Sequence, residues 1–474
     1  MRSPKDRLVD AIEAWRRDRA VERVARWRGD PDALDAAAVA ARHARLRGPR
    51  ARELFEESVE RGLLDGDERA AVVLALRDAH RSVAQAAGDA RLRDALRAPV
   101  PYDSDFHAGT TLLARLLVHP APRVRRGITR ALERTFEDVA GALAERRARI
   151  EEASEAATWL PAATLDEAPD IEPEAILAAT DEVWQEVLAR LGHAAKTPTE
   201  DWSDLLHVLR APRWDDLVPR PSRARRVARS VEELGLGDVL ARGVRLEPPA
   251  ERRFTAVVVV TPSRDLRVSP GVELGLASER DLAAALARAA IHLLAHPGLP
   301  AVLRRPTGES VARTVGALVA HLFADPTFAE RAFSALSPRE RRGARELALG
   351  LELFELRAAA AAVAAHAHRD RRDFVDRARD VFVRALGVDV SPRLAGIVAM
   401  DDEARHRLRA ARLAPPLAVA LREQFDEDFF RNPRVAEPLR HAASRGSALG
   451  AEAWAEELGV DPDALGARMT ELLG

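Results

Sequence analysis

The chain has 474 residues, 47% apolar and 31% charged, with a formal net charge of −2; that is length for about three ordinary domains and ample material for a buried core. Near-neutral charge excludes a bulk polycation for nucleic acid. The absence of Cys excludes disulfides, Cys-ligated metals, iron–sulfur clusters and thiol catalysis, and it fits a reducing compartment.

The start, MRSPKDRLVDAIEAWRRDR, is charged and helical, with no apolar secretory core. Apolar residues then recur three and four apart, with charges between, as in LFEESVERGLLDGDERAAVVLALRDAHRSVA. This predicts helical hairpins to about Ile150, broken at Gly48-Pro49, Asp65-Gly66 and Pro99–Pro101. Residues 116–136 have the form of a single HEAT-type unit. No second copy follows at a fixed period, so an ordinary helical hairpin is the expectation. Residues 161–173, PAATLDEAPDIEP, read as a linker with three prolines and an acidic bias. They divide the chain into an N-terminal helical region, 1–165, and a second helical domain, 166–474.

One segment breaks the helical pattern. RFTAVVVVTP (253–262) is β-branched, and DLRVSP (265–270) follows it. Together they predict a β-hairpin near 253–270 that turns at Pro262–Arg264. Ser278 then reads as an N-cap, with Asp281 at the capping-box spacing, and helices continue to Gly474. The run Ala358–Ala365 is mostly Ala, flanked by Arg357 and His366, and too short to span a bilayer. The expected location is the cytoplasm, with no membrane partner.

Phosphate-binding GxxxxGK[ST], GxSxG, EF-hand and kinase signatures are absent, and Gly235-Leu-Gly237 does not complete GxGxxG because Leu240 stands in the third place. The literal HExxH of zinc peptidases is missing too. Lys5 and Lys196 are the only lysines, so clusters of Arg are common. Arg220, Arg223, Arg225, Arg226 and Arg229, and likewise Arg339, Arg341, Arg342 and Arg345, read as solvated helix faces rather than phosphate sites. The acids Glu423, Asp426, Glu427 and Asp428 read as a helix terminus with Phe425, Phe429 and Phe430 packed inward. His366 and His368 are two apart and face different ways on a helix.

From about Ala178 the order of segments resembles the thimet oligopeptidase/oligopeptidase F group of zinc metallopeptidases. AATDEVWQEVLARL, LLHVLRAPRWDDLVP, the hairpin, HPGLPAVLRRPTGESV, ALVAHLFADPTF, LGVDVSPRLAGIVAMDD and LREQFDEDFFRNPRVAEPLRHAASRG occur in the family's order. The resemblance implies a mainly α fold with two helical lobes, a central cleft and one small β-hairpin or sheet. It also implies a zinc held by two His of HExxH, with the Glu as base, a second Glu on the next helix and oxyanion-stabilising Tyr residues. Anchored on HPGLPAVLRRPTGESV, HExxH falls on 284–288, where this chain has Ala284, Ala285 and Arg288. The third-ligand position falls on Arg313, and the tyrosines near Glu403 and Arg407. The chain has no Tyr after Tyr102. Arg cannot give up its proton to become a metal ligand.

The resulting expectation is an inactive metallopeptidase homologue, a pseudopeptidase, acting as a scaffold or holding a peptide or protein in the inherited cleft, without a cofactor. The edge of the 253–270 hairpin could pair with a peptide backbone. One alternative is an active zinc peptidase with an altered site. His292-Leu-Leu-Ala-His296 keeps an i, i+4 His pair, and His321 lies at the third-ligand spacing. Leu293 leaves that site without a base, and His296 precedes Pro297, where a His can cap a helix end. A second alternative is a plain helical-hairpin interaction scaffold.

Overall fold

The computed structural model describes residues 2–30, 35–163, 165, 171–218, 227–247, 255–271, 275–305 and 309–474. Helix α1 (Pro4–Arg28) opens on a capping box between Ser3 and Asp6 and closes on Gly29 in the left-handed region. Helix α2 (Gly66–Arg97) opens the same way, with Asp65 and Glu68. The Asp65-Gly66 break is therefore a helix start. Helix α3 (Pro122–Glu155) runs back along α2, with Arg81 bonded to Ser154 and Arg91 paired with Glu145. A Cβ on Gly88 would lie 2.4 Å from Arg146 Cγ, which is why the two helices can approach so closely there.

Between α2 and α3, Pro99–Tyr102 and Asp105–Ala108 form strands β1 and β2, an antiparallel ribbon. The break expected at Pro99–Pro101 is thus a strand. Its turn is Asp103-Ser104, both at positive φ, a turn geometry usually signalled by Asn-Gly.

The larger core gathers helices from both parts of the chain. Leu112, Leu116, Ile128, Leu132 and Phe136 join α4 (Asp181–Ala195), α5 (Trp202–Arg210) and the long α8 (Pro338–His366) in one cluster. Ala359 to Ala362 and Ala365 are buried in it, so the alanine-rich run lets neighbouring helices close in on α8. Trp184 is fully buried, and its indole N–H donates to the Leu386 carbonyl at 2.9 Å. Trp184→Phe keeps most of the ring and leaves that carbonyl unpaired. It is expected to lower stability by about 1–2 kcal/mol, read from urea midpoints at unchanged slope. A smaller core joins α1 and α2 through Leu8, Ile12, Trp15 and Leu76.

The expected hairpin forms as β4 (Ala256–Thr261) and β5 (Asp265–Ser269), with Val257 opposite Val268; residues 253 and 254 lie outside the described residues. The three-residue strand β3 (Val244–Leu246) adds in parallel to β5, giving the order β3-β5-β4 with β4 at the edge. Ala20, Val24 and Trp27 of α1 pack on Val258 and Val260 of β4. Helix α6 spans Gly275–Leu294, so Ser278 is buried inside the helix and does not cap it. Helix α7 (Ser310–Leu322) lies between α6 and α10 (Ala404–Phe425), with α9 (Phe374–Leu386) packed on α8. A Cβ on Gly316 of α7 would lie 3.0 Å from the Ala284 carbonyl and 2.7 Å from Arg288 Cγ. No helix among the described residues is long and apolar enough to cross a membrane.

Candidate functional site

The close approach of α6 and α7 across Gly316 sets which side chains meet. Arg288 and His292 are one turn apart on α6 and so share a face. Glu309, at φ 54° just before α7, and Arg313 in its first turn come from the facing element. An Arg288 Nη donates to Glu309 Oε2 at 2.5 Å. Arg313 Nε lies 3.8 Å from the same oxygen, and His292 Nε2 lies 3.8 Å from Oε1. Arg313 also donates to Glu403, just before α10. The result is an ion-pair chain, Arg288–Glu309–Arg313–Glu403, crossing three helices.

Electrostatics follow from this packing. Burial alone would raise the Glu309 carboxyl, but Arg288, then His292 and Arg313, outweigh it and hold it at about 2. His292 is 2% exposed, and burial pushes its imidazole down to about 4. Glu309 opposes that shift, while Arg288, Arg305 and Arg313 add to it. Neither ring nitrogen of His292 has a hydrogen-bond partner. At neutral pH the centre therefore holds a neutral imidazole, an ionised carboxylate and two guanidiniums.

The positions singled out in the sequence fall as follows. Arg288 and Arg313 are brought together on Glu309. Ala285 is buried and the Ala284 carbonyl lies close to Gly316; as alanines, neither offers the centre a polar side chain. The pair of α6 residues that faces Glu309 is 288 and 292, one turn later than 284 and 288. His292, His296 and His321 do not assemble as a metal site. Helix α6 ends at Leu294, so His296 is not on it, and the helical i, i+4 relation to His292 is lost. His296 is exposed, and its Nδ1 accepts from the Gly298 N–H at 3.0 Å. His321 is fully buried elsewhere, its Nδ1 2.9 Å from Glu352. Among the described residues no group of three or more His, Asp or Glu stands close enough to hold a metal ion. The zinc that the resemblance implies does not fit these residues. One imidazole and one carboxylate face the centre, and the carboxylate is already engaged by Arg. Of the two expected tyrosine positions, Glu403 takes Arg313 and Arg407 pairs with Asp401.

The edge of β4 is also engaged. Arg305 donates to the Val259 and Val260 carbonyls at 2.5 and 2.9 Å. A peptide adding to this edge there has to displace that guanidinium. Of the basic clusters, Arg220 to Arg226 lie outside the described residues, Arg229 pairs with Glu233, Arg342 with Glu346, and Arg341 and Arg345 donate to backbone carbonyls. Phe429 and Phe430 are buried beneath the acidic segment, and Arg431 pairs with Asp428. His366 bonds the Ala399 carbonyl. Glu309 and Arg305 escaped the sequence reading. Their only local signal is the i, i+4 spacing of Glu309 and Arg313, whose meaning depends on what α6 presents opposite.

No protein-family profile and no curated protein sequence matches the chain. Solved structures do. The M32 carboxypeptidase of Deinococcus radiodurans R1 superposes at a TM-score of 0.57 with 13% identity, covering 99% of both chains. Metallocarboxypeptidase 1 of Trypanosoma cruzi gives 0.54 with 12% identity and 98% coverage of both. A structure described as an oligoendopeptidase F gives 0.56 with 10% identity, covering 92% of this chain and 83% of the other. Such identities speak for architecture alone: the chain has the two-lobed helical fold with a central cleft found in M32 carboxypeptidases and oligoendopeptidase F-type metallopeptidases.

Proposed function

We propose that this protein is a metallopeptidase homologue that has lost hydrolytic chemistry and works as a binding or scaffold protein. The observation that carries the proposal is the ion-pair chain at the centre. A dication there would have to displace Arg288 and Arg313 from Glu309, and two permanent positive charges repel it. The family's chemistry needs a metal-bound water beside a carboxylate base. Here the carboxylate is held ionised by guanidiniums, and no second imidazole shares the face of His292. A binding role for a peptide or protein in the cleft remains the natural use of such a scaffold, although fold alone never fixes function.

Purified protein, dialysed and analysed for metal, is expected to hold no stoichiometric zinc and to leave a panel of internally quenched peptides and C-terminal dipeptide substrates uncut. About one zinc per chain, lost together with peptide cleavage in His292→Ala, overturns the proposal and supports an altered active site.

A further inference from the structure

Beside the ion-pair chain, on the side facing α1, lies a cavity of about 180 Å³ between α1 and β4. One wall is apolar, formed by Trp15, Ala20 and the strand Val257–Val259. The remaining lining is dominated by guanidiniums: Arg16, Arg19 and Arg23 come from successive turns of α1, and Arg305 comes from below β4. His292 and Glu309 line the cavity where it meets the ion-pair chain.

The charges do not balance there. Arg16 forms a long hydrogen bond to Glu13, at 3.4 Å, and otherwise feels the Asp78 carboxylate without a hydrogen bond to it. Arg19 stacks over Trp15 and touches the Gln85 amide oxygen at 3.5 Å, with no carboxylate. Arg305 is spent on two neutral carbonyls. Arg23 makes no ion pair or hydrogen bond among the described residues. The carboxylates lining the cavity are Asp78, which is shared electrostatically among Arg16, Arg19 and Arg81, and Glu309, which already serves Arg288 and Arg313. Burial pushes both Arg19 and Arg305 down to about 10; Asp78, Asp89 and Glu22 near Arg19, and Glu13 and Glu309 near Arg305, offset that loss of water only in part. His292 adds two ring nitrogens with no hydrogen-bond partner at the same surface. Buried polar groups are normally satisfied, and such a set points to a missing partner.

We infer that this cavity is an anion-binding site for a compact dianion of the phosphate class. Guanidinium forks match phosphate oxygens in pairs, and four of them around one space exceed what Asp78 and the already engaged Glu309 can neutralise. The apolar wall of Trp15 and β4 leaves room for a small organic group carrying the phosphate. The inference does not depend on whether the neighbouring centre hydrolyses peptides.

The test is calorimetric titration of the full-length protein with inorganic phosphate, phenyl phosphate and succinate at low ionic strength, in a phosphate-free buffer. Saturable binding of one phosphate-class ligand per chain is expected, with succinate clearly weaker. Arg19→Gln and Arg305→Gln should each weaken it about tenfold or more, as loss of a charge-assisted hydrogen bond does. Arg342→Gln, on an exposed helix face, should leave it unchanged. Arg305 also braces β4, so Arg23→Gln, at an exposed position with no partner to lose, serves as the variant that preserves folding; it should weaken binding as well. Tighter phenyl phosphate identifies a phosphorylated small molecule, and tighter inorganic phosphate the free ion; both support the class. Absence of saturable phosphate binding, equal affinity for succinate, or binding indifferent to Arg19, Arg23 and Arg305 overturns the inference.

Discussion

Arg288→His combined with Arg313→Gln is expected to turn a centre without metal into one that takes up about one zinc per chain. The two changes act on separate obstacles. The first places a second imidazole one helical turn from His292 on the face that meets Glu309, the spacing that lets two imidazoles share one ion. The second removes the guanidinium 3.8 Å from Glu309, so the carboxylate is free to act as third ligand. Glu403 then loses its partner, but it is half-exposed and can be solvated. Uptake should rank double variant above Arg288→His alone, and both above the unchanged chain, by metal analysis and competition with a chromophoric chelator. Peptide cleavage should stay absent. Position 289, next to the first ligand, is a fully buried Ala, so no carboxylate base stands beside the bound water. A double variant that folds and binds no zinc would show that α6 and α7 do not present these residues to a common point.

Much of this architecture is legible in the sequence, and the illegible parts share a cause. Helices announce themselves through local spacing, and Ser3–Asp6 and Asp65–Glu68 mark their starts by rules that need only four residues. The hairpin is legible because Ala256–Thr261 is a β-branched run unlike anything around it. β3 has three residues, two of them ordinary helix formers, and exists because β5 offers an edge beside it. The centre is readable only as a set of positions. Arg288 and Arg313 follow from a resemblance of segment order, whereas Glu309 gains its meaning from the packing of two helices across Gly316. His296 misleads for the opposite reason. Its spacing from His292 is helical, but the helix ends two residues before it, and Pro297 directs the chain away. Spacing carries information only while the element that gives it geometry continues.

Acid should destabilise the protein in two successive steps, the first of which belongs to His292. Its pKa is about 4 in the folded protein against 6.5 for the free side chain. Between those values the unfolded chain takes up a proton that the native protein refuses. Stability is therefore fully present above pH 6.5 and falls as pH drops toward 4. A shift of this size on a fully buried group corresponds to a loss on the order of 3 kcal/mol. Burial is the main reason for the shift, and the nearby carboxylate does not rescue the imidazolium, because Arg288, Arg305 and Arg313 surround the same ring. Glu309 follows. Its carboxyl, held at about 2 against 4.5 when free, contributes stability above pH 4.5 that is lost as pH falls toward 2. Its side chain retains 29% exposure, so solvent screening reduces that second loss to roughly 1–2 kcal/mol. Burial also lowers the imidazoles of His80 and His207, so the whole protein weakens in the first window. The contribution of His292 must be read as a difference. His292→Leu, similar in volume and unable to titrate, should lose about 3 kcal/mol less than the native chain between pH 7 and pH 4 in urea unfolding. Parallel stability profiles for the two proteins across that window would mean that the imidazole is hydrated or paired in solution, and that the centre between α6 and α7 is open to water.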